Sequence, residues 1–248
     1  NVYINNFDIT NLHKQVINEC FQIINDKWDT RRDDRNFGNS TRLIMRINNI
    51  VTDNNYAGMF GFGTSTKSNL ITIIENFLSD TDKRVLRIGF EDVPYNFQVR
   101  EILANALGRY LLNKSRTRIF EKSPLLLFVD EAHQFLNKKV KDEYFESTEL
   151  SAFDNIAKES RKYGLFLCLS TQMPRDIPIG TLSQMGTFIA HRLINHHDKE
   201  AVANACSSAN RETLSFLPTL GAGEAIVMGV EFPMPVMLQV SMLSTRPK

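Results

Sequence analysis

The stretch Leu125-Leu-Leu-Phe-Val-Asp130-Glu131-Ala-His133 decides the fold class, because five apolar residues end abruptly in two adjacent carboxylates. A continuous apolar run predicts a strand that is buried on both faces, as in a parallel sheet covered by helices. Ligands of open α/β sheets bind beyond the carboxyl ends of the strands, and carboxylates are stable there when they are paired or face a metal. We therefore expect Asp130 and Glu131 to lie where a nucleotide and its metal ion bind.

The two carboxylates have different expected roles. In P-loop nucleotidases the first carboxylate of such a pair holds Mg²⁺, usually through water, and the second polarises the water that attacks the γ-phosphate. On this interpretation Asp130 is the metal ligand and Glu131 is the catalytic residue. The alternative is that Asp130 only caps the helix that follows, which is common in this fold class.

Length and composition indicate a globular protein with one large α/β domain, or such a domain with a helical appendage. The chain has 248 residues, and 42% of them are hydrophobic, enough to fill a sizeable core. The formal net charge of +1 gives no global attraction for a polyanion, so DNA binding would need a local basic surface or one patch repeated around an oligomer. The three cysteines have no paired spacing, and no leader or apolar span is recognisable. We expect a cytoplasmic protein without a membrane anchor.

The chain divides into two predicted parts, a helical segment or insert over 1–82 and an α/β core over 83–248. Apolar residues recur at helical spacing from Asp8 to Trp28, and a polar stretch that reads as a loop follows. Strands then alternate with helices, which predicts a mostly parallel sheet in a RecA-like layered core. The predicted strands are 84–90, 125–129, 165–172 and 187–192, the predicted helices are 99–111 and 149–163, and an antiparallel closing pair is predicted at 223–230 and 235–240.

Gln172 lies at the carboxyl end of the strand that follows the acidic strand in the sequence. If the two strands are neighbours, its amide can reach the same water or γ-phosphate as Glu131, because an amide both donates and accepts hydrogen bonds. A glutamine that ends a strand without any such role is the alternative. We predict Gln172 as a third residue of the site.

Two arginines are candidates for contact with the nucleotide. Arg161 lies in the last turn of the helix before the Gln172 strand, where a cation also stabilises the helix dipole without any further function. A guanidinium offered to the nucleotide of a neighbouring subunit stabilises charge in the transition state, so we predict Arg161 as an arginine finger. Arg192, at the end of the next strand, is the second candidate and a predicted nucleotide-binding residue.

Several motifs, taken in order, resemble the HerA branch of the HerA/FtsK translocase superfamily. After Asp-Glu-Ala-His come Ala157-Lys-Glu-Ser-Arg161-Lys-Tyr-Gly164 and Ser170-Thr-Gln172-Met-Pro-Arg-Asp176-Ile. The later matching segments are Leu182-Ser-Gln-Met-Gly-Thr, the strand ending in His191-Arg192-Leu, the His197-Asp198 helix start, Leu217-Pro, Gly221-Ala-Gly-Glu-Ala and Phe232-Pro-Met-Pro235. The resemblance covers about the last two thirds of the chain, and the joint order of the motifs is far more specific than any one of them.

The resemblance implies a RecA-like P-loop NTPase that works as a hexameric, ATP-hydrolysing translocase or helicase on double-stranded DNA. It implies Asp130 on Mg²⁺, Glu131 as the catalytic carboxylate, Gln172 as a sensor and Arg161 as the finger given to a neighbouring subunit. HerA proteins often act with a nuclease, or in antiviral defence with an effector that degrades DNA or NAD. A second hypothesis is a ring-forming scaffold or regulatory module for such an effector, with weak or dispensable ATP turnover.

The sequence contains no complete phosphate-binding loop of the form Gly-x-x-x-x-Gly-Lys-Ser/Thr. The nearest string is Gly61-Phe-Gly-Thr-Ser-Thr66-Lys67-Ser68, which has a β-branched threonine where the loop needs the backbone freedom of glycine. The string also lies too near the following strand to match the spacing of the family. We interpret it as a coincidence and expect the Walker A lysine upstream of Asn1.

The 248-residue chain alone should therefore bind ATP weakly or not at all, and Lys67→Ala in the complete protein should change nucleotide affinity little. A genuine P-loop lysine contacts the β- and γ-phosphates directly, so its removal would weaken binding severely. Titration with a fluorescent ATP analogue measures both effects. Tight binding by this chain that is lost in Lys67→Ala would identify the string as a working P-loop.

Overall fold

The structure is a computed structural model that describes residues 8–24, 27–61, 68–95, 98–136, 139–140, 148–209 and 211–241. The chain forms two compact units, Asn1–Pro94 and Tyr95–Lys248. The domain boundary predicted between residues 82 and 83 stays a prediction. Within the described residues no helix is both long enough and apolar enough to cross a membrane.

The first unit consists mainly of helices beside a two-stranded antiparallel hairpin. After a 3₁₀ turn at Ile9–Asn11 come α1 (Leu12–Asn18), β1 (Phe21–Ile24), β2 (Lys27–Arg32), α2 (Asp34–Thr52), α3 (Asn54–Phe60) and α4 (Leu70–Ser79). Side-chain oxygens cap two of these helices. Asp33 accepts from the backbone N–H groups of Arg35 and Asn36, and Asn69 accepts from Ile71.

The long amphipathic helix predicted over Asp8–Trp28 is wrong. The observed helix, α1, ends at Asn18, because the chain then turns into the hairpin in which Phe21 pairs with Arg32. The apolar residues at the end of the predicted helix include β-branched isoleucines, which favour strands, and their helical spacing concealed this preference. The polar stretch expected as a loop contains β2 and the beginning of α2.

The strand predicted at 84–90 is also wrong for the described residues, because no described strand pairs with this segment. Val85 is 84% exposed. Extended backbone becomes a strand only when a neighbouring segment completes its ladder of hydrogen bonds. An apolar run cannot reveal whether that neighbour exists.

The second unit contains a parallel strand pair with helices beside it, followed by an antiparallel sheet. Its helices are α5 (Val99–Arg116), α6 (Ala152–Glu159), α7 (Ile179–Leu182), α8 (His196–Ala205) and α9 (Arg211–Phe216). Its strands are β3 (Leu125–Val129), β4 (Lys139–Val140), β5 (Thr148–Glu149), β6 (Leu165–Leu169), β7 (Thr187–Ala190), β8 (Glu224–Gly229) and β9 (Val236–Gln239). The predicted α/β fold class, with parallel strands beside helices and antiparallel closing strands, is confirmed.

The acidic strand and the Gln172 strand are neighbours, which is the condition under which Gln172 can reach the water addressed by Glu131. β3 and β6 run parallel in a register that pairs Leu125 with Leu165 and Val129 with Leu169. Among the described strands this is the one parallel pair, since β7 pairs antiparallel with β8, and β8 pairs antiparallel with β9. The carboxyl ends of β3 and β6 therefore meet at the same edge.

Burial alternates along β3, so the two faces of the parallel pair differ. On one face Val129 and Leu165 are buried, and α6 packs on β6. On the other face Leu126, Phe128 and Phe166 are 50%, 68% and 40% exposed. The expectation that the acidic strand is buried on both faces is wrong, because no described helix covers the second face.

The turn into β6 depends on a glycine. Gly164 follows the 3₁₀ helix Ser160–Tyr163 with a φ of 78°, and its carbonyl accepts a hydrogen bond of 3.0 Å from the Leu125 N–H at the start of the parallel ladder. A Cβ at this position would lie 2.2 Å from the carbonyl oxygen of Phe120. Glycine satisfies both the left-handed backbone and the close approach.

Gly164→Ala should destabilise the protein by about 2 kcal/mol or more, because strain at positive φ adds to the clash with the Phe120 carbonyl. Urea denaturation measures the free energy of unfolding. Gly180→Ala in α7 is the matched control, since the nearest atom to its added Cβ, Asp154 Oδ1, is 3.7 Å away. Equal stabilities of the two variants would contradict this account of the turn.

Candidate active site

The acidic pair is held outside the ladder at the carboxyl end of β3. The Val129 carbonyl accepts from the Ser170 N–H at 3.0 Å, and the Ser170 carbonyl accepts from the Ala132 N–H at 2.9 Å. One residue that follows β6 thus binds the last residue of β3 and the first residue of the 3₁₀ turn Ala132–Gln134, on either side of Asp130 and Glu131. The two acidic residues must bridge this short interval, and Glu131 does so in the left-handed region, with φ 47° and ψ 45°. A non-glycine residue in this conformation is uncommon and often marks a functional site.

Glu131 and Gln172 are in direct contact. The amide nitrogen Nε2 of Gln172 donates to Oε1 of Glu131 at 2.7 Å. The predicted proximity of these two side chains is therefore observed, and it follows from the parallel register of β3 and β6. The contact fixes one carboxylate oxygen and leaves the other to interact elsewhere.

The second carboxylate oxygen of Glu131 is a buried acceptor without a hydrogen-bond partner among the described residues. His133 Nδ1 lies 3.3 Å from this Oε2 atom, a distance at which an imidazolium would form an ion pair with the carboxylate. The contact does not have the geometry of a hydrogen bond. The same Nδ1 lies 3.1 Å from Oγ1 of Thr171, which accepts from the Met173 N–H. Buried polar atoms normally have hydrogen-bond partners, so Oε2 is suited to accept a hydrogen bond from a donor such as water.

His133 and Thr171 are site residues to which the sequence interpretation gave no role. Both stand within quoted motifs, His133 in the acidic string and Thr171 immediately before Gln172. Their contact joins the loops that follow β3 and β6. The sequence signal that could have identified each residue was its position next to, or two residues from, a predicted site residue.

Asp130 is exposed, and its Oδ1 accepts from the backbone N–H of Glu131 at 3.0 Å. The helix that follows is only a 3₁₀ turn, Ala132–Gln134, and Glu131 rather than Asp130 occupies its cap position. The capping alternative for Asp130 is therefore not observed. A single accessible carboxylate at a strand end fits Mg²⁺, which is commonly bound by one or two carboxylates together with waters and substrate phosphates.

Arg161 lies in the 3₁₀ helix before β6, at the amino end of the parallel pair, and is exposed. Glu131 and Gln172 lie at the carboxyl end, and the five-residue strand between these ends spans roughly 16 Å. Within one chain the guanidinium and the carboxylate thus belong to different edges of the sheet. The role of Arg161 as a finger stays a prediction, and it requires a second subunit.

Arg192 follows β7 and lines a hollow of about 340 Å³ together with His191 and Gly221–Gly223. No hydrogen bond or ion pair between described residues links Arg192 to the acidic pair. The role of Arg192 in nucleotide binding stays a prediction.

An ion pair that was not predicted from the sequence joins the loop after β6, which carries Gln172, to helix α8. Asp198, in the first turn of α8, accepts from both the backbone N–H and the guanidinium of Arg175. Asp198 is 5% exposed, so its charge is buried with this partner. Both residues stand in motifs of the quoted resemblance, but nothing in their spacing indicated that they touch.

A further group of potential metal ligands lies at the beginning of α8. Nδ1 of His196 and Nδ1 of His197 each lie 3.9 Å from Oε2 of Glu200. All three side chains are exposed. Histidine ligands in metal centres are normally oriented by a hydrogen bond from a second group. Among the described residues neither ring has such a bond, so these residues do not form a built metal centre.

The string that contains Lys67 is not tested by the structure, because residues 62–67 lie outside the described residues. Its interpretation as a coincidence stays a prediction, as does the expected position of the Walker A lysine.

Comparison with known proteins identifies the family. Residues 118–247, more than half of the chain, match the family model described as helicase HerA-like C-terminal. The chain belongs to this HerA-like helicase family, which confirms the resemblance deduced from the order of the motifs.

Two curated relatives show the extent of the similarity. The DNA double-strand break repair helicase HerA of Pyrococcus furiosus is 27% identical over 207 residues, which cover 80% of this chain and 37% of that protein. A probable helicase of Methanocaldococcus jannaschii is 34% identical over 121 residues, which cover 48% of this chain and 22% of that protein. The chain spans well under half of the length of these relatives.

Among solved structures, the DNA-packaging ATPase B204 of Sulfolobus turreted icosahedral virus aligns with 65% of this chain and 81% of its own chain. The identity is 18% and the TM-score is 0.44. A similarity at this level does not by itself define a fold.

Proposed function

We propose that the protein hydrolyses ATP to move along or unwind double-stranded DNA, as a HerA-type translocase or helicase. The observation that carries this proposal is the Glu131–Gln172 contact of 2.7 Å at the carboxyl edge of β3 and β6. A carboxylate that is fixed at one oxygen and has no hydrogen-bond partner among the described residues at the other is what a water-polarising group requires. Membership of the HerA-like family supports the same reaction.

In the proposed mechanism Oε2 of Glu131 accepts a hydrogen bond from the attacking water and increases its nucleophilicity. Gln172 holds Oε1, so the carboxylate does not rotate away when the water binds. The carbonyl oxygen of the Gln172 amide can orient the same water or a phosphate-bound group. The left-handed backbone of Glu131 adds to this preorganisation, because it restricts where the side chain can point.

Asp130 is the residue proposed to hold Mg²⁺ beside the phosphates. The bound ion would supply positive charge against the phosphate oxygens. Asp130 itself contributes a negative charge at the strand edge and, through Oδ1, an acceptor that holds the Glu131 N–H. This bond holds the Asp130 carboxylate against the backbone of Glu131.

The proposed finger, Arg161, requires a ring of subunits. Its place at the opposite edge from Glu131 supports action between chains rather than within one chain. We propose a homo-oligomer, a hexamer by the family resemblance, acting on DNA, in keeping with the relative named as a DNA double-strand break repair helicase. The nuclease or NAD-degrading effector, the antiviral role and the cytoplasmic location stay predictions from the sequence.

Glu131→Gln should keep nucleotide binding and reduce ATP turnover at least about a hundredfold, since water-polarising groups contribute on that order. The amide preserves an acceptor for Gln172 but lacks the negative charge. Steady-state phosphate release by the complete protein is the measurement. Glu212→Gln, an exposed position in α9, is the matched control and should retain full turnover. Turnover in Glu131→Gln equal to that of the control would favour the scaffold hypothesis instead.

Arg161→Ala should abolish ATP turnover if the guanidinium acts across a subunit interface. Rings mixed from Arg161→Ala and Glu131→Gln subunits should regain part of the activity at interfaces that combine an intact finger with an intact carboxylate. Hydrolysis after subunit exchange, with mixing verified by mass, is the measurement. An absence of recovery in verified mixed rings would remove Arg161 from this role and direct attention to Arg192.

A further inference from the structure

We infer that Arg175 and Asp198 are positioning residues, which hold the loop after β6 so that Gln172 meets Glu131. The inference rests on the proposed function, in which this contact orients the catalytic carboxylate. Neither residue touches Glu131 or Gln172 through a described hydrogen bond. Their effect is exerted through the backbone that lies between them and Gln172.

Asp198 binds Arg175 at two points. One carboxylate oxygen accepts from the Arg175 backbone N–H at 3.3 Å, and the other accepts from the guanidinium Nη1 at 3.0 Å. The backbone bond fixes the path of the loop, while the guanidinium bond fixes the orientation of the carboxylate. A hydrogen bond between two charged groups is stronger than one between neutral groups.

Burial makes this pair sensitive to change. The Asp198 side chain is 7% exposed and the Arg175 side chain is 34% exposed, so the carboxylate is the more enclosed partner. A buried carboxylate without its cation is strongly unfavourable, so the loop is stable mainly where it keeps Arg175 against α8. Asp198 also lies in the first turn of α8, where the helix dipole favours a negative charge.

The backbone between Arg175 and Gln172 is short and internally bonded. Pro174 and Ile177 are buried on either side of Arg175, and the Ile177 N–H donates to the Pro174 carbonyl. The Met173 N–H donates to Thr171 Oγ1 at 3.0 Å. A displacement of Arg175 therefore moves the segment that carries Gln172. The Gln172 side chain is exposed, and its one described hydrogen bond is the contact with Glu131.

A purely stabilising role for the ion pair predicts a different result from a positioning role. If the pair only stabilises the fold, its loss lowers the amount of folded protein and affects every activity in proportion. If it positions Gln172, its loss lowers turnover specifically and adds nothing once Gln172 has been removed. Residues that act through one another show this non-additivity in a double-mutant cycle.

The first test measures ATP turnover by the complete protein in Arg175→Gln and Asp198→Asn, each with and without Gln172→Ala. With Gln172 present, kcat should fall at least about tenfold while KM for ATP stays within about twofold, since small misplacements of catalytic groups cost this much or more. With Gln172→Ala, either variant should cause no further fall. The combined Arg175→Gln, Asp198→Asn variant leaves no unpaired buried charge and repeats the test if a single variant does not fold.

A conservative variant and a control variant show whether the loss of kcat is specific to the guanidinium of Arg175. Arg175→Lys keeps the charge but not the planar guanidinium, so it should restore kcat only in part. Lys83→Gln is the matched control, since it breaks the ion pair with Asp80 in the first unit, away from every proposed site residue, and should leave kcat unchanged. Equal losses from Arg175→Gln with and without Gln172, or a loss no larger than in the control, would overturn the inference.

The second test does not depend on ATP hydrolysis. Backbone amide hydrogen exchange in Asp198→Asn should accelerate at Met173, Asp176 and Ile177, the loop amides that donate within the turn, by about tenfold or more. The Ser170 amide, which belongs to the ladder with β3, should keep its wild-type rate. If wild-type protein shows no ATP turnover, the proposed function fails while this test still decides the positioning role. Unchanged exchange at the three loop amides would overturn it.

Discussion

The arrangement of the site depends on the two hydrogen bonds that Ser170 makes, one to the end of β3 and one to the turn that follows it. Because its N–H binds the Val129 carbonyl and its carbonyl binds the Ala132 N–H, the chain between them has only Asp130 and Glu131 with which to form a turn. The left-handed conformation of Glu131 is the cost of that short path, and such conformations persist only where the surroundings determine them fully. Ala132 is completely buried, which prevents the turn from relaxing.

The loop after β6 is also fixed by contacts that follow Gln172 in the sequence. Ser170 joins the loop to β3, buried Pro174 and Ile177 anchor its turn, and Asp198 binds Arg175 from α8. Exposed polar groups at the tip of a loop ordinarily sample many positions. Here the backbone is fixed before and after the exposed glutamine. A carboxylate and an amide can then meet at 2.7 Å without help from a bound ligand.

The sequence was sufficient for features that depend on strand order and insufficient for features that depend on contacts between distant segments. The meeting of Glu131 with Gln172 needed only two adjacent parallel strands, each ending in polar residues. The bond between Arg175 and Asp198 joins residues that look like ordinary surface charges in the sequence. The failed helix over Asp8–Trp28 and the failed strand at 84–90 have a common cause, since strands exist through partners that local periodicity does not reveal.

The face of β3 and β6 that no described helix covers has a consequence for the behaviour of this chain in solution. Leu126 pairs with Phe166 across the two strands, and Phe128 follows on the same face, so the exposed apolar groups form one continuous patch. Such patches promote self-association, which weakens on cooling and strengthens in sulfate salts. Cold buffers without sulfate should therefore keep the isolated chain dispersed, and salting-out steps should precipitate it readily.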